Sequence, residues 1–251
     1  MSQHRARAQI LDLDLGNTRL KYRCAERRGS IGYDEPLPVF KHSDKPRRIR
    51  VASVLGDERN KAIAAKLRER YGCEAEFAVS EPACAGVRNG YDQPATLGVD
   101  RWLAVVAAFN RVGAALVVDL GTAATFDYVD DTGKHLGGFI VPGLQLLQQA
   151  LVRNTESVHT ERADPLASAA NADSDASLAL GSSTRAAVLN GAQVTLVRLI
   201  EAEIRRAQEK CHPDAHLLLC GGGATQIAPD LACAFEIVPD LVLDGLGFVL
   251  R

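Results

Sequence analysis

The sequence predicts an α/β fold made of two similar domains. Strand-like apolar segments alternate with helix-like segments along the chain. A short turn motif occurs twice, as Asp14-Leu15-Gly16-Asn17-Thr18 and as Asp119-Leu120-Gly121-Thr122, about one domain length apart. Because each copy follows an apolar strand, we predict an internal duplication, with one domain at residues 1–112 and the other at 113–251.

The elements of the first half follow from local patterns. Gly16-Asn17-Thr18 separates two strand-like segments, which predicts a hairpin. Asp57 is expected to cap a helix, and Gly72 is placed to end it. The predicted strands are 10–15, 19–25, 50–55 and 74–79, and a mostly buried helix is expected at 101–111.

The second half repeats the pattern. Strands are predicted at 114–120, 123–129, 134–140 and 216–220. After Gly181 a long helix is expected, because apolar residues recur there at helical spacing. Ala163–Leu180 is rich in Ala, Ser and Asp, and we predict a surface loop or a poorly defined helix there.

Composition excludes several classes of function. Lys and Arg total 29 against 31 Asp and Glu, a formal net charge of −2, so no nucleic-acid partner is expected. The six cysteines lack CxxC spacing, which favours free thiols in a reducing compartment. No apolar stretch approaches the roughly 20 residues that span a bilayer. We therefore predict a cytoplasmic protein with no membrane contact.

The first turn motif has the residue types of a phosphate-binding loop. Glycine lets the backbone approach a phosphate, Asn17 and Thr18 add short polar side chains, and Lys21 adds a positive charge. Asp14 at the strand end is a candidate ligand for Mg²⁺. Alone, the motif is equally compatible with an ordinary exposed hairpin turn, but the second copy at Asp119 makes coincidence a poor explanation.

Two such loops resemble the actin-like superfamily of sugar kinases and chaperone ATPases. That resemblance implies two duplicated ribonuclease H-like domains with a nucleotide cleft between them. It also implies a glycine-rich turn for the adenosine, for which Gly221-Gly222-Gly223-Ala224 is the candidate. Neither a GxxxxGK[ST] loop nor a GxGxxG fingerprint occurs in the sequence.

Further motifs resemble one family of this superfamily, the type III pantothenate kinases. The residues that carry the resemblance, in chain order, are Asp14 to Lys21 (DxGN[ST]xxK), Gly98-Val99-Asp100-Arg101 (GxDR), Asp119 to Thr125 (DxGTAxT), Gly137 to Gly143 (GGxIxPG), Gly181 to Thr184 (GxST) and Asp244-Gly245-Leu246. They span nearly the whole chain, and the ordered set is far more specific than any one motif.

The resemblance implies phosphorylation of pantothenate by ATP, with Mg²⁺, a monovalent cation (K⁺ or NH₄⁺) and a homodimer. Implied ATP contacts are Asp14, Leu15, Gly16, Asn17, Thr18, Arg19, Leu20, Lys21 and Thr122. Implied pantothenate contacts are Tyr91, Gly98, Val99, Asp100, Arg101 and Thr184. Asp100 is implied as the general base, and Asp119 as the ligand of the monovalent cation.

Several of these residues also have plain structural interpretations. Asp100 precedes the predicted helix and is placed to cap it. Arg101 either pairs with the pantothenate carboxylate or braces its own loop. Tyr91 is equally interpretable as a loop aromatic packed on the core, and Thr184 as a hydroxyl that satisfies backbone N–H groups at a helix start.

Two rival functions stay open from the sequence alone. One is a sugar kinase of the same superfamily, against which the GxDR and GxST motifs argue. The other is a regulatory or accessory homologue without catalysis, against which the presence of Asp14, Asp100 and Asp119 argues. One departure from the family pattern is Cys220, which stands where Thr often precedes the glycine turn.

Overall fold

The computed structural model describes residues 10–41, 45–154 and 176–251. Within that part of the chain it contains two five-stranded sheets, a two-stranded ribbon and six α-helices. The predicted α/β class is confirmed. The segment predicted to be a loop or weak helix lies outside the described residues up to residue 175.

The first sheet is built around the strand that carries Asp14. Its strands are β1 (Ile10–Leu15), β2 (Leu20–Cys24), β3 (Arg27–Ile31), β4 (Arg48–Ser53) and β5 (Ala75–Phe77), in the spatial order β3-β2-β1-β4-β5. β1 pairs antiparallel with β2 and parallel with β4. Leu11, Leu13 and Leu15 alternate along β1 and have no exposed surface. They form part of the hydrophobic core of this unit.

One helix connects β4 to β5, and a two-stranded ribbon and a second helix follow β5 in the chain. α1 (Asp57–Tyr71) ends at Gly72, whose φ of 78° gives the left-handed cap that the sequence predicted. Its N-terminal cap is Gly56 rather than Asp57, which is the first helical residue. The ribbon consists of β6 (Ala83–Cys84) and β7 (Val87–Arg88), and α2 (Val99–Val112) comes next.

The second sheet has the same topology. Its strands are β8 (Ala115–Leu120), β9 (Ala123–Val129), β10 (His135–Pro142), β11 (His216–Cys220) and β12 (Glu236–Ile237), in the order β10-β9-β8-β11-β12. β8 pairs antiparallel with β9 and parallel with β11, as β1 does with β2 and β4. The remaining helices are α3 (Leu144–Asn154), α4 (Thr184–Lys210), α5 (Ala224–Ile227) and α6 (Leu241–Val249).

The two turn motifs occupy equivalent positions in the two sheets. Asp14 and Asp119 are each the fifth residue of a six-residue central strand. Asp14 lies opposite Lys21 on the antiparallel neighbour, and Asp119 lies opposite Thr125. The repetition of strand order, strand direction and aspartate position confirms the predicted fold class of duplicated ribonuclease H-like domains.

Contacts between residues divide the chain into two compact units. The first contains the described residues up to Arg111 together with Gly133–His135 and Asp240–Arg251, so the C-terminal helix α6 belongs to it. The second contains Val112–Thr132 and the described part of Leu136–Pro239. The domain boundary near residues 112–113 stays a prediction. No helix among the described residues has the length and apolar character needed to cross a membrane.

Candidate active site

In the first unit, the β1–β2 hairpin presents the first turn motif. The N–H of Gly16 donates a 3.1 Å hydrogen bond to the carbonyl of Arg19, which closes the turn. Asn17 and Thr18 are exposed at its tip. Leu15 and Leu20, on either side of the turn, have their side chains buried in the core.

The two basic residues of this motif differ in their surroundings. The guanidinium of Arg19 donates through Nε to Ser30 Oγ and through Nη2 to the Ser30 carbonyl, both at 3.0 Å. These bonds hold Arg19 along strand β3. Lys21 is half-buried on β2, directly opposite Asp14 in the strand register. In the strand register Lys21, and not Arg19, is therefore the basic residue paired with Asp14, the predicted magnesium ligand.

Tyr33, just beyond β3, contacts the same hairpin. Its hydroxyl donates a 2.5 Å hydrogen bond to the carbonyl of Gly16. The guanidinium carbon of Arg59 lies 4.8 Å from the centre of the Tyr33 ring. Burial raises the pKa of Tyr33, the positive charge of Arg59 lowers it, and the negative charge of Asp14 raises it. No sequence motif marked Tyr33.

The GxDR motif forms the start of α2. The helix begins at Val99, and the N–H of Trp102 donates to the carbonyl of Gly98 over 2.9 Å. Asp100 therefore lies inside the first turn of the helix. The sequence placed it to cap the helix, but it is not the cap residue. Its Oδ1 accepts a 2.8 Å hydrogen bond from the N–H of Arg101. The positive end of the helix dipole stabilises the ionised form of a carboxylate at this place.

Arg101 braces the loop that carries Tyr91. The guanidinium is buried, with 6% of the residue exposed, and its Nη1 donates a 2.7 Å hydrogen bond to the Tyr91 hydroxyl. The Tyr91 N–H in turn donates to Asn89 Oδ1 over 3.0 Å. The ring of Tyr91 stacks on His135, with 6.0 Å between ring centres. The structure thus brings two predicted pantothenate contacts together, one on a helix and one on a loop.

In the second unit, the β8–β9 hairpin presents the second turn motif. The N–H of Gly121 donates to the carbonyl of Ala123 over 3.0 Å, as Gly16 does to Arg19 in the first hairpin. Gly143, which precedes α3, donates a 3.0 Å hydrogen bond to the carbonyl of Thr122. A Cβ on residue 143 would stand 2.3 Å from the Gly121 carbonyl oxygen, so only glycine fits. This close approach explains the last glycine of the GGxIxPG motif.

The glycine-rich turn after β11 lies against Asp119. Gly221 has a φ of 83°, and a Cβ on it would stand 2.3 Å from Asp119 Oδ1. The N–H of Gly223 donates a 2.8 Å hydrogen bond to the carbonyl of Leu120. The Asp119 carboxylate therefore lies directly against the backbone of this turn, with the Leu120 carbonyl oxygen beside it. Carboxylate and carbonyl oxygens are ligands that hard cations accept, so the residues fit the predicted cation.

The GxST motif opens α4 in the second unit. Ser183 caps the helix, because its Oγ accepts a 3.1 Å hydrogen bond from the N–H of Ala186. Thr184 is the first helical residue and is exposed. The capping role that was considered for Thr184 belongs to Ser183. Among the described residues no group of three or more His, Cys, Asp or Glu side chains is arranged to hold a metal ion.

Comparison with known proteins agrees with the motif series. The family model of the type III pantothenate kinases matches residues 10–206. A type III pantothenate kinase of Azotobacter vinelandii is 39% identical over 249 aligned positions, covering 95% of this chain and 97% of that protein. Another from Alcanivorax borkumensis is 35% identical over 247 positions, covering 94% and 96%.

A solved structure shares the fold. A crystal structure from Campylobacter jejuni, assigned to the Baf family of transcriptional activators, superposes with a TM-score of 0.61 at 21% identity. The match covers 94% of this chain and 95% of that one. At this identity the likeness concerns the fold alone, whereas the sequence matches cover nearly the full length of proteins of one family. The chain belongs to the type III pantothenate kinase family.

Proposed function

We propose that this protein transfers the γ-phosphoryl group of ATP to the primary hydroxyl of pantothenate, giving 4′-phosphopantothenate and ADP, the first step toward coenzyme A. The observation that carries the proposal is the pair of aspartate-bearing hairpins in equivalent places of two like sheets, in a chain of this family. Phosphoryl transfer depends mainly on positioning and on electrostatic stabilisation. Two similar hairpins suit that task.

The first hairpin is proposed to bind the nucleotide phosphates. Its exposed tip at Asn17 and Thr18 offers backbone and side-chain donors, and Lys21 supplies positive charge. Leu15 and Leu20 contribute through their backbones only. Arg19 is proposed to add positive charge from beside Ser30, to which its Nε and Nη2 donate. Thr122 is the corresponding contact in the second unit.

Asp100 is proposed to orient the pantothenate hydroxyl and to accept its proton. The hydroxyl oxygen forms a bond to the γ-phosphorus while the bond from that phosphorus to the β–γ bridging oxygen breaks, and ADP leaves. The Arg101 N–H holds Oδ1 of the carboxylate in place at the start of α2. In a loose transition state little early proton removal is needed, so orientation is its main contribution.

Arg101 is proposed to pair with the pantothenate carboxylate while Tyr91 holds its guanidinium in place. An arginine suits a carboxylate because its planar fork donates two parallel hydrogen bonds. Gly98 and Val99 line the same helix start, and Thr184 offers an exposed hydroxyl in the second unit.

Two cations complete the proposal. Asp14 is suited to hold Mg²⁺, which in kinases typically uses one or two carboxylates together with substrate phosphates. Asp119 is suited to hold K⁺ or NH₄⁺ beside the glycine-rich turn. When bound, these ions neutralise phosphate charge. The protein contributes by holding the carboxylates of Asp14 and Asp119 near the ends of the two central strands.

The decisive experiment measures phosphorylated product directly, with and without pantothenate, in potassium and then in sodium. Direct detection by ³¹P NMR avoids coupling enzymes that themselves need potassium. We expect product only with pantothenate, and less of it in sodium. Phosphorylation of a hexose but not of pantothenate would identify a sugar kinase, and a folded protein without turnover on any acceptor would identify an accessory homologue.

The homodimer and the cytoplasmic location are proposals that rest on family membership. Analytical ultracentrifugation of the purified protein is expected to give twice the mass of 26.9 kDa. A monomer at micromolar concentration would contradict the dimer. Fractionation of cells is expected to place the protein with the cytoplasmic marker enzymes.

A further inference from the structure

Tyr33 makes a specific contact with the predicted phosphate loop, although it belongs to none of the motifs. It lies beyond β3, and its hydroxyl donates a 2.5 Å hydrogen bond to the carbonyl of Gly16. Tyr33 is half-buried, and both residues belong to the first unit. The bond therefore connects the edge of the sheet to the turn that follows its central strand.

The geometry of the peptide unit gives this bond a consequence for the neighbouring residue. The carbonyl of Gly16 and the N–H of Asn17 belong to one planar trans peptide, so they point in opposite directions. A bond that fixes the carbonyl therefore also fixes the direction of the Asn17 N–H. Glycine restrains its own backbone weakly, so without such a bond the peptide rotates more readily. The N–H of Asn17 is one of the donors expected to meet a phosphate.

The surroundings of Tyr33 keep its hydroxyl in the role of donor. Arg59 lies over the ring, 4.8 Å from its centre, which restrains the orientation of the ring. Burial raises the pKa of the phenol, so the proton stays in place at neutral pH. Tyr33 and Arg59 also line a cavity of about 1040 Å³, so the ring edge is not enclosed in the tightly packed core.

We propose that Tyr33 is a positioning residue of the phosphate loop, which holds the Gly16–Asn17 peptide in the orientation that binds ATP. The inference rests on the proposed function, since it assumes that this hairpin binds the nucleotide. In this role Tyr33 acts through the Gly16–Asn17 peptide and not by direct contact with a substrate. Its loss is expected to weaken ATP binding while pantothenate binding stays the same.

The test compares Tyr33→Phe with a matched control, Tyr71→Phe. The Tyr71 hydroxyl also donates to a backbone carbonyl, that of Pro38 at 2.8 Å, which lies outside the Gly16-Asn17-Thr18 turn. For Tyr33→Phe we expect the KM for ATP, and the Kd of a non-hydrolysable ATP analogue, to rise about 3- to 10-fold, as for the loss of one net hydrogen bond. In Tyr33→Phe the KM for pantothenate should not change. In Tyr71→Phe the KM for ATP should not change.

Thermal unfolding of both variants separates positioning from stability. If Tyr33→Phe and Tyr71→Phe lose similar stability but only Tyr33→Phe weakens ATP binding, the positioning role is supported. An unchanged KM for ATP in Tyr33→Phe, in a wild-type protein that phosphorylates pantothenate, overturns the inference and leaves the proposed function intact. A wild-type protein that binds no ATP overturns the proposed function and this inference with it.

Discussion

The carboxylate of Asp100 lies directly against Gly98, so that a Cβ on residue 98 would stand 2.7 Å from Asp100 Oδ1. The atom that would clash is the end of a side chain rather than backbone, so Gly98→Ala is expected to rotate the carboxylate and to leave the fold intact. A displacement of about 1 Å at a reacting group costs up to about 100-fold in rate. We expect kcat to fall about 10- to 100-fold with little change in thermal stability.

Gly191→Ala is the control for this prediction. Gly191 lies in α4, and nothing lies within 4 Å of a Cβ built there. Alanine favours a helix over glycine by about 1 kcal/mol, so this variant should be slightly more stable and fully active. Equal kcat values in Gly98→Ala and wild type would show that the position of the Asp100 carboxylate does not limit the reaction.

Asp100→Asn tests the carboxylate itself. The amide keeps the size of the side chain but neither carries the charge nor accepts a proton. General-base catalysis is typically worth about 10²- to 10⁴-fold, and because orientation is the main contribution proposed for Asp100, we expect kcat to fall about 10²-fold, the lower end of that range, at saturating ATP and pantothenate. The KM for ATP should stay the same. Turnover within about threefold of wild type would remove Asp100 from its proposed role.

Tyr91→Phe tests whether the bond to Arg101 prepares the guanidinium for pantothenate. The variant loses the 2.7 Å hydrogen bond from Arg101 Nη1 but keeps the aromatic ring. A hydrogen bond to a charged group is worth about 1.5–3 kcal/mol, so the KM for pantothenate is expected to rise about tenfold or more. The KM for ATP should not change, the reverse of the pattern expected for Tyr33→Phe. A rise in both KM values would indicate a general loss of structure.

The sequence predicted the two hairpins because their signals are local. Each hairpin turn, Gly16-Asn17-Thr18 or Gly121-Thr122, separates two strand-like segments. The observed bounds of β1, β8 and β9 differ from the predicted bounds by at most one residue. The duplication was visible for the same reason, since a repeated turn after a repeated strand needs no knowledge of long-range contacts.

Long-range contacts account for what the sequence did not show. Nothing local indicates that Tyr33, which follows β3, reaches back to Gly16 across two hairpins. Nor does anything local indicate that Gly221 lies against Asp119, because that contact depends on the pairing of β8 with β11, about 100 residues later in the chain. The assignment of caps also failed at single positions: the N-cap residues are Gly56, where Asp57 was expected, and Ser183, where a capping role was an alternative interpretation of Thr184. The N-cap is the residue at which the backbone turns from non-helical to helical. The sequence pattern locates that point only to within one or two residues.

Asp119→Asn tests the predicted monovalent cation. The variant keeps the shape of the side chain beside Gly221 but removes its charge. A cation is attracted far more strongly by a carboxylate than by a neutral amide, so the potassium concentration for half-maximal activity should rise about tenfold or more. Asp14→Asn is the crossed control, expected to change the dependence on magnesium instead. Unchanged potassium activation in Asp119→Asn would place the cation elsewhere.

Cys211 predicts how stability changes at alkaline pH. The thiol is buried at the end of α4, and burial, with a smaller effect of the negative charge of Asp130, raises its pKa to about 11. In the unfolded chain the thiol titrates near its usual value, about 8.5–9. Between these two values the unfolded state loses its proton while the folded state keeps it, so rising pH favours unfolding. The contribution of the protonated thiol to the free energy of unfolding is complete below about pH 9 and is lost as the pH rises toward 11. The free energy of unfolding then falls by at most about 1.4 kcal/mol per pH unit.

Urea unfolding of wild type and Cys211→Ala from pH 8 to 10.5 should show a shallower decline of the free energy of unfolding in the variant. Equal slopes would contradict the raised pKa.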